Sequence, residues 1–319
     1  MAEVLLPALG LGLLAMFLIL YFRRGFIPGD AFTYLAAGER LNAGHFLYAL
    51  SPGDRPVALD PPYWTVPFLS PPFIAVLWRP LAALPLDLGV YLWWAGAVTS
   101  LAVVLGTLMA QRRLLTSVAI LALLIPLTYE IGVGNANAYL LAGAVAVWVL
   151  ARDGRTFAAG PVAAVMTAVK LTPLPVAAWV IGTGGRRGLA VVVTSLVVCG
   201  VISLVGAGIV AHIDFLSVAR ATGTTGLTQF SLGGLARALG VPEPLPTLVP
   251  TAVLLGGALL ASVLPNRGHP SAGYAAAILA WTFGTAVLNV NTLVLLVALL
   301  APIAWPWRAA DANTAFQPA

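Results

Sequence analysis

Charged side chains are scarce in this sequence. Only 8% of its 319 residues are charged while 60% are apolar, and the mean hydropathy is +0.97. Soluble domains carry about a quarter charged residues, so that class is excluded. Long apolar runs recur, each close to the roughly 20 residues of a spanning helix. They lack the alternation typical of strands. The sequence therefore predicts an all-α protein, a helical bundle that crosses a membrane many times.

Cysteine and histidine are also rare. Cys199 is the single cysteine, which excludes a disulfide framework. The three histidines, His45, His212 and His269, lie far apart and lack the spacing of metal ligands. The sequence contains no P-loop, no Gly-rich dinucleotide motif and no zincin motif. We therefore expect no metal and no cofactor.

The net charge of +5 comes from arginines that lie between the apolar runs. That is the positive-inside pattern of membrane topology, so nucleic acid is not an expected partner. The apolar runs predict about 10 or 11 spans, at residues 4–22, 69–84, 88–110, 114–130, 137–151, 157–183, 188–210, 246–264, 271–288 and 292–307. The first run has no preceding basic region, so we interpret it as an uncleaved span. With Arg186, Arg267 and Arg308 inside, residues 23–68 and 211–245 become two extracytoplasmic loops of a single domain, residues 1–319.

Residues 157–183 lie between two basic connectors, Arg152/Arg155 and Arg186/Arg187. A single crossing would put these connectors on opposite sides of the membrane. The segment AVKLTPLP interrupts the run with Pro173 and Pro175. We therefore predict a hairpin of two short helices that meet at this break, with both connectors inside.

Asp30 lies just after the first apolar run, among several of the 11 acidic residues of the chain. It follows Pro28-Gly29 and begins a helical stretch, residues 30–43, whose rough apolar face suggests a helix lying in the membrane interface. Asp30 could cap this helix. A carboxylate at the membrane surface, just after a span, could equally be a general base that takes a proton from a sugar or lipid hydroxyl group. Asp60 is a second candidate, although its setting, LDPPYW, is typical of a turn.

Lys170 is the only lysine of the chain and lies within an apolar region. Ionisable groups at such positions are expensive and indicate function. An ammonium beside a helix break suits a phosphate, although its side chain could instead extend to the interface.

Polar amides mark the end of another span, in the run GVGNANAY that follows Glu130. Asn135 and Asn137 could bind sugar hydroxyls or could connect helices. The same two interpretations apply to a set of predicted outer polar groups, which are His212, Gln229, Asn289 and Asn291.

The order of several short segments resembles glycosyltransferase family 87, the polyprenyl-phosphate-mannose-dependent mannosyltransferases of GT-C fold. The segments are GDAFTYLAAGERLNAGHFLY, FLSPPFIAVLWRPLAALP, GNAN, AGPVAAVMTAVKLTPLP and TQFSLGGLARALG. The positions that match the family pattern are Asp30 with Tyr34, Leu47-Tyr48, Pro71-Pro72, Gly134 with Asn137, Lys170 with Pro173, and Gln229 with Ser231. Ser70, Asn135 and Phe230 depart from it.

The resemblance implies a multi-pass enzyme of the cell membrane with its site on the extracytoplasmic side. Asp30 would be the general base, and attack would invert the sugar. The donor would be a polyprenyl-phosphate sugar, mannose in this family, with its phosphate near Lys170 and Arg220. The acceptor would be a lipid or a glycan. The substrate-binding residues would be Tyr34, Lys170, Asn135, Asn137, Gln229, Arg220, His212 and Asp60.

Two other functions are compatible with a polytopic membrane protein. A transporter or lipid flippase would usually contain paired intramembrane charges and internal repeats, whereas this chain has Lys170 alone and no evident repeat. A non-catalytic scaffold would tolerate replacement of Asp30. Loss of function on replacing Asp30 therefore separates the scaffold from the enzyme.

Overall fold

The structure, a computed structural model, describes residues 2–23, 28–55, 68–222 and 231–307. Within these ranges the chain is helical and has no β-strand. The α-helices are α1 Ala2–Arg23, α2 Gly29–Ala43, α3 Pro72–Ala82, α4 Leu88–Gln111, α5 Arg113–Ala122, α6 Leu124–Val133, α7 Asn137–Arg152, α8 Thr156–Val169, α9 Leu174–Thr222, α10 Leu232–Ala238, α11 Leu245–Asn266, α12 Pro270–Phe283 and α13 Ala301–Ala304. The described residues also include two 3₁₀ helices, Pro85–Asp87 and Val290–Leu300.

Several of these helices are long and apolar enough to cross a membrane. Among the described residues four pass, namely Val4–Arg23, Pro85–Gln111, Leu174–Arg220 and Leu245–Asn266. The pair α5 and α6, bent by 71°, makes a fifth if it is one span. The other apolar runs form shorter helices, such as α7 and α8. The predicted all-α polytopic membrane protein is confirmed, with fewer full-length helices than apolar runs because breaks divide the runs.

Two glycines divide α9 into three arms, residues 174–184, 186–207 and 209–222. Gly185 (φ 54°, ψ −136°) and Gly208 (φ 77°, ψ 164°) have non-helical backbones. The chain reverses direction at Gly185. The reversal is visible at Gly188, where an added Cβ would lie only 2.6 Å from the Val180 carbonyl oxygen, on the preceding arm. The second arm corresponds to the predicted span at 188–210.

The predicted hairpin over residues 157–183 is present. It consists of α8 and the first arm of α9, which meet at the Lys170–Pro173 break. Their far ends lie side by side, since a Cβ added at Gly184 would be 2.7 Å from Thr156 Cγ2. Arg155 and Arg186 therefore lie at the same end of the hairpin, and Lys170 lies at the other.

Helix α2 confirms the predicted helical stretch, but its location differs from the expectation. It packs against α3 and α4 with most of its residues buried, and Glu39 and Asn42 lie on its exposed side. A close approach at Gly38, whose added Cβ would lie 2.9 Å from Ala82 Cβ, brings α2 and α3 together. Tyr34 packs against the rings of Trp78 and Trp93, at 6.0 and 5.8 Å between centroids. Helix α2 is therefore buried on the faces where its small and aromatic residues pack against neighbouring helices.

A second group of aromatic rings joins the bundle near the C-terminal end of α7. The rings of Trp148 and Trp179 stack at 5.4 Å, and Tyr274 contacts both. The Tyr274 hydroxyl donates to the Ala144 carbonyl at 2.9 Å. The ring stacking and this hydrogen bond together fix α7 to α9 and α12, at the end of α7 away from Asn137.

Candidate functional site

Asp30 lies in the first turn of α2, and its side chain points to another part of the chain. The residue before the helix is Pro28, and no side chain caps the helix. The N-cap interpretation of Asp30 is therefore wrong. Instead, Asn135 Nδ2 donates to Asp30 Oδ2 at 2.6 Å. Asp30 is half-buried, so its carboxylate is positioned by the protein while part of it stays accessible.

The turn between α6 and α7 brings Asn135 to Asp30. It begins at Gly134, whose φ of 65° is the left-handed conformation that favours glycine. A Cβ at Gly134 would lie 3.1 Å from Ala31 Cβ and 3.2 Å from Pro28 Cβ. The Trp93 indole donates to the Gly134 carbonyl at 3.0 Å. Glycine at this position therefore permits both the turn and the close approach of α2.

Lys170 ends α8 in an extended conformation, at the break before α9. Its Nζ donates to Asn135 Oδ1 at 3.0 Å and to Asn137 Oδ1 at 2.8 Å. Lys170 is half-buried. An ammonium has three protons, and these two bonds use two of them. The alternative in which Lys170 extends to the interface does not describe its position, because the ammonium is held by two amides.

Glu130 lies behind the asparagines and is 1% exposed. Its carboxylate accepts from Asn137 Nδ2 at 3.2 Å, from the Ala138 backbone at 2.9 Å and from Asn291 Nδ2 at 2.9 Å. The carboxylate lies at the N-terminus of α7, where the helix dipole favours negative charge. We call Asp30, Asn135, Lys170, Asn137 and Glu130 the polar network.

Sequence reasoning did not include Glu130 among the site residues and put Asn291 in an outer turn. Asn291 is 1% exposed and lies against Glu130. The signal for Glu130 was present, because an ionisable residue within an apolar helix indicates function by default. The two interpretations of Asn135 and Asn137 are not exclusive here, since both amides connect helices and also hold Lys170.

Burial raises the pKa of the Asp30 carboxyl above its ordinary value of 3.8, while the Asn135 hydrogen bond and the Lys170 charge act in the opposite direction. A carboxylate with a raised pKa is a stronger base at neutral pH. The accessible part of the network thus combines a base with a cation. Among the described residues no cluster of His, Cys, Asp and Glu could hold a metal ion.

The remaining predicted site residues are not part of the polar network. Tyr34 is buried one turn after Asp30, with its hydroxyl near Ser70 and the Ala136 backbone. His212 bonds to Ser203 at 3.0 Å and to the Gly208 carbonyl at 2.8 Å. Arg220 is exposed near the end of α9 and has no bond to the network in the described part of the chain. Gln229 and Asp60 lie outside the described residues.

The loop after α2 is fixed to the bundle by the predicted Leu47-Tyr48 pair. Leu47 is buried, and the Tyr48 hydroxyl donates to the Ser70 carbonyl at 2.7 Å. On the exposed side of α2, Glu39 pairs with Arg55 at 3.1 Å. Glu39 is thus a carboxylate on the same helix as Asp30 that has no contact with the network.

Comparison with known proteins identifies a family. The curated proteins and the solved structures gave no match to this chain. A sequence profile of glycosyltransferase family 87 matches residues 68–289, which include Glu130, Asn135, Asn137 and Lys170. The match covers more than half of the chain. It begins after α2 and so does not include Asp30, which contacts the matched region through its hydrogen bond with Asn135. The chain belongs to glycosyltransferase family 87.

Proposed function

We propose that the protein transfers a sugar, mannose by its family resemblance, from a polyprenyl-phosphate donor to a hydroxyl group of a lipid or glycan acceptor. The Asn135 amide is the observation that carries this proposal. It binds the Asp30 carboxylate through Nδ2 and the Lys170 ammonium through Oδ1. A base for the acceptor and a cation for the donor phosphate are thereby held in fixed relative positions, which is what group transfer between two substrates requires.

In the proposed reaction the acceptor oxygen forms a bond to the anomeric carbon of the donor. The bond between that carbon and the phosphate oxygen breaks, and polyprenyl phosphate leaves with the bonding electron pair. Asp30 takes the proton of the attacking hydroxyl as the new bond forms. Attack from the face opposite the phosphate inverts the anomeric centre.

Lys170 is the proposed phosphate ligand. Two of its three protons are used by Asn135 and Asn137, and within the described residues the third is left for a phosphate oxygen. A fixed ammonium beside the leaving phosphate stabilises the charge that develops there. We propose that the remaining candidates extend this site towards donor and acceptor; they are Tyr34, His212, Arg220, Gln229 and Asp60.

The direction of α7 and α8 supports a site on the extracytoplasmic side. Asn137 begins α7 and Arg152 ends it, whereas Lys170 follows the end of α8 and Arg155 precedes its start. Lys170 and Asn137 therefore lie at the end of this helix pair that is away from the arginines. Because arginine connectors are enriched on the cytoplasmic side, this arrangement supports the proposal that the network faces the extracytoplasmic side of a cell membrane.

The test is sugar transfer by the purified protein from radiolabelled polyprenyl-phosphate-mannose to a membrane lipid extract. Wild type is compared with Asp30→Asn and with Glu39→Gln, a matched carboxylate on the same helix. We expect transfer by the wild type and by Glu39→Gln, and at least a hundredfold loss in Asp30→Asn. Thermal unfolding and donor binding check that the variants are intact.

The other outcomes are equally specific. Equal transfer by Asp30→Asn and the wild type would remove Asp30 from the mechanism and make Asp60 the next candidate base. No transfer by the wild type, over several polyprenyl-phosphate sugars and acceptors, would favour a transporter, a flippase or a scaffold.

A further inference from the structure

Glu130 is a buried carboxylate whose partners all donate to it. It accepts the Asn137 amide, the Ala138 backbone N–H and the Asn291 amide. Burying a carboxylate is costly unless donors of this kind surround it. In the described part of the chain it has no hydrogen bond to Asp30 or to Lys170. The hydrogen-bonded path from Glu130 to the site therefore passes through Asn137, which also holds Lys170. Its negative charge acts on Lys170 through space as well.

The two asparagines of the network have the same orientation. Asn135 gives Nδ2 to Asp30 and Oδ1 to Lys170. Asn137 gives Nδ2 to Glu130 and Oδ1 to Lys170. An ammonium only donates and a carboxylate only accepts, so a rotated amide would bring donor against donor and acceptor against acceptor. The orientation of Asn137 is thus determined by Glu130 at one end and by Lys170 at the other.

We propose that Glu130 is a positioning residue for Lys170, and that it acts by fixing the Asn137 amide. This inference rests on the proposed function, since it assigns Glu130 a part in binding the donor phosphate. Glu130 also accepts from the Ala138 backbone, so the same carboxylate fixes the start of α7, which carries Asn137. Without it, the Asn137 amide can rotate, and the ammonium loses one of its two acceptors. Lys170 then leaves the point where the phosphate binds.

Glu130→Gln is the informative substitution. Glutamine presents an NH₂ group in place of one of the two oxygens that now accept three N–H donors. Either the Asn137 and Asn291 amides or the Ala138 N–H therefore lose their acceptor, which loosens the Asn137 amide itself or the start of α7 that carries it. We expect kcat/KM for polyprenyl-phosphate-mannose to fall about tenfold or more, mainly through KM, because a charge-assisted hydrogen bond is lost. Binding of unreactive polyprenyl phosphate should weaken by a similar factor. Thr128→Val is the matched control, since Thr128 is a buried polar residue of α6 that bonds within its own helix, to Leu124, and it should change neither value by more than about twofold.

A double variant separates this role from general stability. Glu130→Gln and Asn137→Ala act on the same path to Lys170. The double variant should therefore bind polyprenyl phosphate no more than about twofold less tightly than whichever single variant binds it less tightly. Independent structural damage would instead multiply the two losses. Should Glu130→Gln fail to fold, Glu130→Asp decides, because it keeps the charge but shortens the reach to Asn137. It should still raise the donor KM.

Some results would overturn the inference. These are an unchanged donor KM in folded Glu130→Gln or Glu130→Asp, or multiplied losses in the double variant, while the wild type binds and transfers normally. They would leave the proposed function intact. Absence of both polyprenyl-phosphate binding and sugar transfer in the wild type would overturn the proposed function and this inference with it.

Discussion

Asp30 and Lys170 approach the same side chain, Asn135, from opposite sides. Nδ2 of the amide lies 2.6 Å from the Asp30 carboxylate, and Oδ1 lies 3.0 Å from the Lys170 ammonium. Within the described residues the two charges form no direct ion pair. A direct pair would lower the pKa of the Asp30 carboxyl and occupy the ammonium. The amide between them therefore keeps a base and a cation available at one site.

Asn135→Ala is expected to move the acidic limb of the pH–rate profile to higher pH. Burial already raises the pKa of the Asp30 carboxyl, and the Asn135 hydrogen bond opposes that rise. Removing a donor to the ionised form raises the pKa of the carboxyl further. A base has to be ionised, so transfer begins at a higher pH. The measurement is kcat/KM between pH 4 and pH 9, with Glu39→Gln as the unshifted control. A limb that stays in place would contradict Asp30 as the titrating base, whereas a limb that moves to lower pH would mean that Lys170 pairs directly with Asp30 once the amide is removed.

Asp30→Asn is expected to unfold at a higher temperature than the wild type at neutral pH. A carboxyl whose pKa is raised by folding contributes stability below its ordinary pKa of 3.8 and loses it as the pH rises through the folded value. Ionised Asp30 thus costs stability at neutral pH, and asparagine removes that cost while keeping an oxygen for Asn135. The difference in Tm between variant and wild type should shrink as the pH falls. A lower Tm for the variant at neutral pH would show that ionised Asp30 stabilises the fold.

Lys170→Arg is expected to fail as a conservative substitution. The ammonium fits between two amide oxygens, at 3.0 Å from Asn135 and 2.8 Å from Asn137. A guanidinium is larger and planar and donates in a fixed fork, so it cannot reproduce this arrangement. We expect Lys170→Arg and Lys170→Met each to weaken polyprenyl-phosphate binding by about tenfold or more. Wild-type binding by Lys170→Arg would mean that positive charge alone, without this geometry, is sufficient.

Gly134→Ala is expected to impair both stability and transfer. Its φ of 65° strains any residue with a Cβ, and the new atom would lie 3.1 Å from Ala31 Cβ on α2. The backbone strain costs about 1–2 kcal/mol, and the crowding adds roughly 1–3 kcal/mol and displaces α2 from Asn135. Gly154→Ala is the matched control, because its φ is 71° and its Cβ would meet nothing within 4 Å.

The two glycine variants together separate strain from crowding. Gly154→Ala should lower the unfolding temperature without changing the specific transfer rate, whereas Gly134→Ala should lower both. Equal effects of the two variants on transfer would mean that the approach of α2 to Gly134 does not position Asp30.

The site could be predicted from the sequence in part. Asp30, Asn135, Asn137 and Lys170 were recognisable because polar groups in a strongly apolar chain are costly and few. Glu130 and Asn291 were not included, although both are buried beside these groups. His212 and Arg220 were included but lie apart from the network. Burial and hydrogen-bond partners depend on which helices pack together, and motif order carries no information on that.

The sequence by itself determined the class of the protein and the position of the helix break after Lys170. A composition with so few charges can be buried only in a membrane bundle, and the prolines after Lys170 prevent one continuous helix there. Only the tertiary structure decided which groups meet. The bond between Asn135 and Asp30 depends on α2 packing inside the bundle and on the close approach at Gly134. Such contacts join residues far apart in sequence, so they arise from helix packing and from no local preference of the chain.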